Sequence, residues 1–131
     1  MSELFERDAA SKALGMELVD YGPGFARVTM RVRADMLQGH GTCHGGFIFA
    51  LADSAFAFAC NSHGYTAVAS GCSIEYLAPA QAGDLLEAEA REVAVNGRSG
   101  LYDVAVRRGV ALVASFRGRS RALNSAAGAS R

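Results

Sequence analysis

One acidic residue lies inside the longest apolar segment of the chain. This segment of 16 residues runs from Gly45 to Cys60 and contains a single charged side chain, that of Asp53. Burying an unpaired carboxylate costs several kcal/mol, so we expect a raised pKa at this position. A carboxyl with a raised pKa suits a general base or a nucleophile. The alternative is a structural Asp at a helix end or an interface, bonded to backbone groups.

The residues His44-Gly45-Gly46 stand where the apolar helix should begin. The first N–H groups of a helix have no internal partner, and the positive end of the helix dipole lies there. Glycine also lets a ligand approach the backbone closely. The triplet therefore suits an oxyanion site for a carbonyl that becomes tetrahedral. Alternatively, it is an ordinary glycine-rich helix entry capped by His44.

The spacing of these two features predicts a shared site. His44 and Asp53 are nine residues apart, which on one helix is about 13 Å of rise and about 2.5 turns. The two residues then lie on opposite faces and cannot serve one small site within a single chain. Two antiparallel copies of the helix could bring them together. We therefore expect an isologous homodimer with two sites, each built from both chains.

Other chemical motifs find less support. Gly71-Cys72-Ser73-Ile74-Glu75 lacks the closing glycine of a nucleophile elbow. His40 and His44 are four residues apart, but the flanking glycines argue against a helix there, so we expect no metal site. Arg98 follows the Asn96-Gly97 turn, where it could meet phosphate groups or simply be a solvated residue at a hairpin tip.

The composition indicates a single globular domain without a nucleic-acid partner. The 131 residues carry 13 basic and 13 acidic side chains, and half are hydrophobic. Three cysteines without a C-x-x-C pair indicate a reducing, cytoplasmic location. The first residues lack the apolar core of a secretory signal, and the 16-residue run is too short for a bilayer. No membrane association is expected.

Hydrophobic periodicity predicts one short helix, one long helix and several strands. The short helix covers residues 2–13, and the long one, apolar around its whole circumference and so buried on all sides, covers Phe47–Asn61. Asn96-Gly97 predicts a hairpin turn. The predicted strands are Met16–Asp20, Phe25–Arg33, Ala67–Leu77, Asp84–Val95, Ser99–Arg107 and Val110–Ser120, of which the last four should form a meander.

These elements predict an α+β fold. A curled antiparallel sheet of five to six strands, wrapped around one long central helix, would bury that helix. The domain should extend over residues 1–123, and residues 124–131, which are small and polar, are expected to form a flexible tail.

The segment around Asp53 resembles a known family. H-G-G-x-x-x-x-L-A-D-x-A is typical of the hotdog-fold thioesterases, and C-H-G-G-F-I-F-A-L-A-D-S-A-F-A-F-A-C-N-S resembles their phenylacetate-degradation (PaaI-like) subfamily. The similarity continues through Cys72–Ala80, Gly97-Arg98, Leu101–Val104 and Phe116–Ser120.

This resemblance implies a function and a set of site residues. It implies a dimer, usually paired again into a tetramer, that hydrolyses acyl-CoA thioesters of phenylacetyl type without a metal or redox cofactor. By the same resemblance, Asp53 is the nucleophile or general base, Gly45 supplies the oxyanion amide and His44 supports that loop. We expect the substrate to be bound by Gly46, Asn61 and Arg98.

One residue departs from the family pattern. Family members usually carry Asn in the M-x-N-G-H segment, where it helps to place the catalytic water or the substrate, whereas this chain has Gln38. The amide is retained on a side chain one methylene longer, which could change the acyl preference. The acyl pocket should depend on which aromatic side chains face it, the candidates being Phe47, Phe56, Phe58, Tyr65 and Tyr76.

Two other functions fit the same fold. The first is a module that binds or senses acyl-CoA without hydrolysing it. The second is the hydration or dehydration of a CoA-linked enoyl chain, which normally needs an Asp and a His paired on one catalytic segment. That spacing is absent from this sequence.

Overall fold

The computed structural model describes residues 2–123, so the tail predicted at 124–131 lies outside the described residues. Near the amino terminus, the prediction of a single helix is wrong. The chain forms two short helices instead, α1 (Ser2–Glu6) and α2 (Ala9–Ala13). The Asp8 carboxylate accepts a hydrogen bond from the Ser11 N–H, which caps α2 and separates it from α1.

Six strands and one long helix make up the rest. The helix α3 (Gly45–Cys60) begins two residues before the predicted position. A 3₁₀ turn covers Ala34–Met36. The strands are β1 (Glu17–Gly22), β2 (Phe25–Arg31), β3 (Ala67–Tyr76), β4 (Leu85–Asn96), β5 (Ser99–Arg108) and β6 (Ala111–Ala122).

All six strands join one antiparallel sheet in the order β1-β2-β4-β5-β6-β3. The predicted meander of the last four strands is therefore wrong for β3, because only β4, β5 and β6 follow one another as neighbours. Helix α3 crosses the inner face of the sheet and delivers the chain to the β6 edge. The chain then returns to pair β4 with β2, which leaves β3 as an edge strand.

The inner face of the curled sheet packs on α3. Leu51, Phe56 and Phe58 of the helix are completely or almost completely buried. The Phe56 ring lies against Gly118 of β6, where an added Cβ would come within 2.9 Å of three ring atoms. This contact explains the glycine in the middle of a strand. No helix within residues 2–123 is long and apolar enough to cross a membrane.

One face of α3 is not fully covered, contrary to the expectation that the helix is buried on all sides. Gly46, Ala50, Asp53 and Ala57 recur every three or four residues and remain exposed or half-buried. The neighbouring edge strand β3 is also exposed along most of its length. The protomer therefore leaves an open side, formed by one helix face and one unpaired strand edge.

Candidate active site

The beginning of α3 presents one free backbone donor. His44 precedes the helix, and its Nδ1 accepts a hydrogen bond of 3.2 Å from the Gly46 N–H. Because Nδ1 accepts, the ring proton of a neutral His44 must reside on Nε2. Within residues 2–123, the Gly45 N–H has no hydrogen-bond partner. Of the two glycine amides proposed from the sequence, Gly45 is therefore the available one, since the Gly46 donor is already used.

The loop before the helix is held by its own side chains. The Gln38 amide nitrogen donates to the Thr42 hydroxyl over 2.7 Å, and its oxygen accepts from the His40 N–H. The backbone closes the loop through His44 N–H to Met36 O, at 2.8 Å. Both ends of the Gln38 amide are thus engaged within the loop, so this side chain shapes the approach to Gly45.

A cleft of about 390 Å³ opens beside the free amide. Its walls are Thr42, Cys43, Gly45, Ile48, Tyr76, Leu77, Ala78 and Pro79. The Tyr76 hydroxyl donates to the Gly45 carbonyl over 2.9 Å, and its ring would lie 3.0 Å from a Cβ added at Gly45. This close packing favours glycine at the first position of the helix, because the Tyr76 ring would have to shift slightly for a larger residue. Of the five aromatic candidates, Tyr76 lines this cleft, whereas Phe56 and Phe58 belong to the core.

Tyr76 was one of the aromatic candidates for the acyl pocket, but its hydrogen bond to Gly45 was not predicted from the sequence. It is the last residue of β3, and 31 positions separate it from Gly45. The sequence carried one weak signal, an aromatic residue at a strand end shortly before Pro79. Only the placement of β3 at the sheet edge brings that strand end to the start of α3.

The Asp53 carboxylate lies in the middle of α3, on its open face. Among the described residues it has no hydrogen-bond or ion-pair partner. Burial raises the pKa of Asp53 above its ordinary value, and the nearby Asp8 carboxylate raises it further. Asp53 in turn raises the pKa of Cys72 on β3, after the larger effect of burial. The carboxylate therefore faces the exposed side of the protomer where β3 ends the sheet.

The chain does not bring Asp53 and Gly45 together. Eight residues separate them along a regular helix, a distance of about 12 Å along the helix axis. The cleft beside Gly45 does not include Asp53 among its walls. Among the described residues, one protomer therefore holds a free backbone donor and an unpartnered carboxylate at two separate places, as the spacing argument predicted.

The structure shows Asn61 bonded to backbone groups, and its predicted binding of substrate stays a prediction. Its amide nitrogen donates to the carbonyls of Ala57, at 2.8 Å, and Ala67, at 2.9 Å. Its oxygen accepts from the Ala67 N–H over 2.9 Å. The amide is thus engaged at both ends, where it ties the end of α3 to the start of β3. Asn61 also lies at the opposite end of α3 from Gly45.

Arg98 occupies the position that the hairpin signal predicted. It follows Gly97, which adopts a positive φ of 62° in the turn between β4 and β5, and it is exposed. Its carbonyl accepts from the Ala122 N–H over 2.8 Å. Within the described residues, its guanidinium makes no ion pair, so it is available to an anion.

With this geometry established, comparison with known proteins identifies the family. A model of the Thioesterase superfamily matches residues 40–114, which include both the helix start and Asp53. The acyl-coenzyme A thioesterase PaaI of Escherichia coli (strain K12) is 50% identical over 118 residues, covering 89% of this chain and 84% of that protein. The chain belongs to the thioesterase superfamily. Within it, the chain is a PaaI-like thioester hydrolase.

Solved structures confirm the hotdog fold of this thioesterase. The Escherichia coli PaaI protein from the phenylacetic acid degradation operon superposes with a TM-score of 0.92 at 47% identity, covering 94% of this chain and 90% of that one. A Streptococcus mutans UA159 protein, solved with acetyl-CoA bound, has a TM-score of 0.80 at 29% identity, covering 83% and 89% of the two chains.

Proposed function

We propose that the chain hydrolyses the thioester of aromatic, phenylacetyl-type acyl-CoA to the free acid and coenzyme A. The observation that carries this proposal is that one thioesterase domain presents both an unpartnered carboxylate, that of Asp53, and a free amide at a helix start, that of Gly45. Similarity to a PaaI acyl-CoA thioesterase and to a protein solved with acetyl-CoA supports CoA as the carrier. Coenzyme A is part of the substrate, and the proposed chemistry uses no metal or redox cofactor.

In the proposed reaction, Asp53 acts by one of two routes. As a general base it takes a proton from water, and the resulting hydroxide adds to the thioester carbon. As a nucleophile it adds to that carbon itself and forms a mixed anhydride, which water then hydrolyses. Either route places negative charge on the carbonyl oxygen, and either route expels the CoA thiolate when the tetrahedral intermediate collapses.

The Gly45 N–H is the proposed donor to that oxygen. It stands at the first position of α3, where the helix dipole also favours negative charge. His44 holds the helix entry through its bond to the Gly46 N–H, and Gln38 holds the preceding loop through Thr42. We assign both residues to placing the Gly45 amide. Arg98, which has no ion pair among the described residues, is the proposed contact for the CoA phosphates.

The proposed active unit is a homodimer with two shared sites, which pairs again into a tetramer. An unpaired strand edge such as β3 is a template for pairing with a second strand. The open face of α3 carries small residues at Gly46, Ala50 and Ala57, which permit a second helix to approach closely. A two-fold axis at this side would set the Asp53 of one chain opposite the Gly45 of its partner.

We also propose that the enzyme works in the cytoplasm. Cys43, Cys60 and Cys72 are all free thiols in the structure, which agrees with a reducing compartment.

A thiol-release assay tests the proposed reaction. Aromatic acyl-CoAs, phenylacetyl-CoA among them, should release free thiol faster than straight-chain acyl-CoAs at equal concentration. Asp53→Ala should lose this activity by at least about 1,000-fold, while Asp20→Ala, which removes an exposed carboxylate from β1, should retain it.

Three results would contradict the proposal. Full turnover by a folded Asp53→Ala protein would exclude Asp53 as the acting residue. Tight binding of acyl-CoA without thiol release would indicate a binding module instead of an enzyme. Equal rates for aromatic and aliphatic substrates would remove the proposed acyl preference.

A further inference from the structure

A buried hydroxyl connects the amino-terminal helices to α3. Ser11 is 2% exposed, and only it and Ser120 are buried polar residues among those described. Its hydroxyl lies 2.7 Å from a carboxylate oxygen of Asp8 and 2.8 Å from the hydroxyl of Ser54. Since Ser11 gives its one proton to the carboxylate, Ser54 must be the donor in the second bond. The three side chains, hereafter the Asp8 clamp, form a directed chain that ends on a negative charge.

The Asp8 clamp attaches to α3 at the residue that follows Asp53. Ser54 is the neighbour of Asp53 on the helix, so Asp8 lies two hydrogen bonds from the turn that carries the proposed catalytic group. A second contact supports this attachment, since the Phe5 ring meets the Phe58 ring edge-on with centroids 5.9 Å apart. The amino-terminal helices are therefore also fixed against α3 five residues after Asp53.

Few charged or titratable groups surround Asp53. Those that interact with it electrostatically are Asp8 at the N-cap of α2, Cys60 from its own helix and Cys72 from β3. The other strands that pack on α3 contribute apolar side chains to the shared core, namely Leu18 of β1, Val28 of β2, Ala88 of β4, Val104 of β5 and Phe116 of β6. The two carboxylates of β1, Glu17 and Asp20, are exposed. The nearest carboxylate thus repels the ionised form of Asp53, and no cation among the described groups offsets it.

We propose that Asp8 is a positioning residue for the hydrolysis. Through the clamp it fixes the helix turn that carries Asp53 and holds a negative charge in the surroundings of that residue. This inference rests on the proposed role of Asp53. It assigns a function in catalysis to the amino-terminal helix α2, which contributes no residue to the cleft at Gly45.

The pH dependence of kcat/KM for thiol release tests this role. Asp8→Asn removes the charge but keeps an oxygen that can accept from the Ser11 N–H, so α2 should stay capped. The acid limb of the profile should move to lower pH, and the plateau rate should fall by roughly two- to fivefold. Asp8→Glu, which keeps the charge, should restore the limb towards the wild-type position. Glu17→Gln removes one exposed charge from β1 and should leave the limb unmoved.

An unmoved acid limb in a folded Asp8→Asn protein would overturn the proposal, even if the protein were less stable, because a purely structural clamp changes only stability. Should Asp8→Asn fail to fold, Asp8→Ser decides, since it also removes the charge and leaves a hydroxyl that can cap α2. Its limb should also move to lower pH, and an unmoved limb there would equally overturn the role. Asp53→Asn, measured in parallel, tests the underlying function separately. An inactive Asp53→Asn together with an unmoved Asp8→Asn limb refutes the clamp alone.

Discussion

The two ends of α3 differ in how their polar groups are satisfied. At the carboxyl end, both atoms of the Asn61 amide bond to backbone groups of Ala57 and Ala67. At the amino end, the Gly45 N–H has no partner among the described residues, and a cleft opens beside it. Unmade hydrogen bonds near an opening are available to a substrate, whereas completed ones hold the fold. The amino end therefore offers a free donor beside a cleft, whereas the carboxyl end is tied to the fold.

Of the changes at the two ends of α3, removing the free donor at the amino end has the larger expected effect. Gly45→Pro deletes the N–H, and proline is well accepted at the first position of a helix. His44, with φ −62° and ψ 134°, already has the extended backbone that a residue before proline adopts. We expect kcat to fall roughly 100- to 1,000-fold, as measured by thiol release.

Gly45→Ala is the matched control for that variant. Its Cβ meets the Tyr76 ring at the same 3.0 Å, but the N–H is retained. The alanine variant should therefore lose much less activity than the proline variant. Equal losses in the two proteins would show that crowding against Tyr76, and not the missing donor, causes the defect.

The next largest effect is a loss of stability at the carboxyl end. Asn61→Ala leaves the N–H and C=O groups of the buried residue Ala67 without their partners. Chemical denaturation should show a decrease of about 2 kcal/mol in the free energy of unfolding. Activity per folded molecule should stay within about twofold, in line with a purely local tie. A large drop in turnover with unchanged stability would instead support the predicted role of Asn61 in substrate binding.

The smallest expected effect is a change in stability when Asp53, in the middle of α3, is replaced. Burial raises the pKa of Asp53 above the ordinary value of 3.8, so the folded state binds its proton more strongly than the unfolded state does. Between the ordinary and the raised pKa, stability therefore falls as the pH increases. Asp53→Asn should unfold at a higher temperature than wild type at neutral pH, and this difference should shrink as the pH falls towards 3.8. A variant that is less stable at every pH would contradict this reading of the site.

The sequence was sufficient where structure depends on local patterns. The extent of the apolar run predicted the start of α3 to within two residues. Its apolar circumference predicted that a sheet covers the helix. Asn96-Gly97 predicted the β4–β5 hairpin, and the structure gives Gly97 the positive φ that this turn requires. The nine-residue spacing of His44 and Asp53 predicted that these two residues lie far apart within one chain.

What the sequence did not predict depends on contacts between distant residues. The edge position of β3 follows from how the chain crosses the sheet, and it brings Tyr76 to Gly45 across 31 residues. The bond between Ser11 and Ser54 spans 43 residues. Asn61 belongs to the family-like segment, and only its bonds to Ala67 show that it completes the fold.

Subunit complementation tests the central claim, the sharing of each site between two chains, most directly. Gly45→Pro and Asp53→Ala proteins, each nearly inactive alone, are mixed in equal amounts and allowed to exchange subunits. Half of the dimers then contain both variants, and one of the two sites in each combines an intact Gly45 with an intact Asp53. The mixture should recover about a quarter of the wild-type thiol release. If subunits exchange and no activity returns, Asp53 and Gly45 do not act across the dimer interface, and the proposed site is wrong.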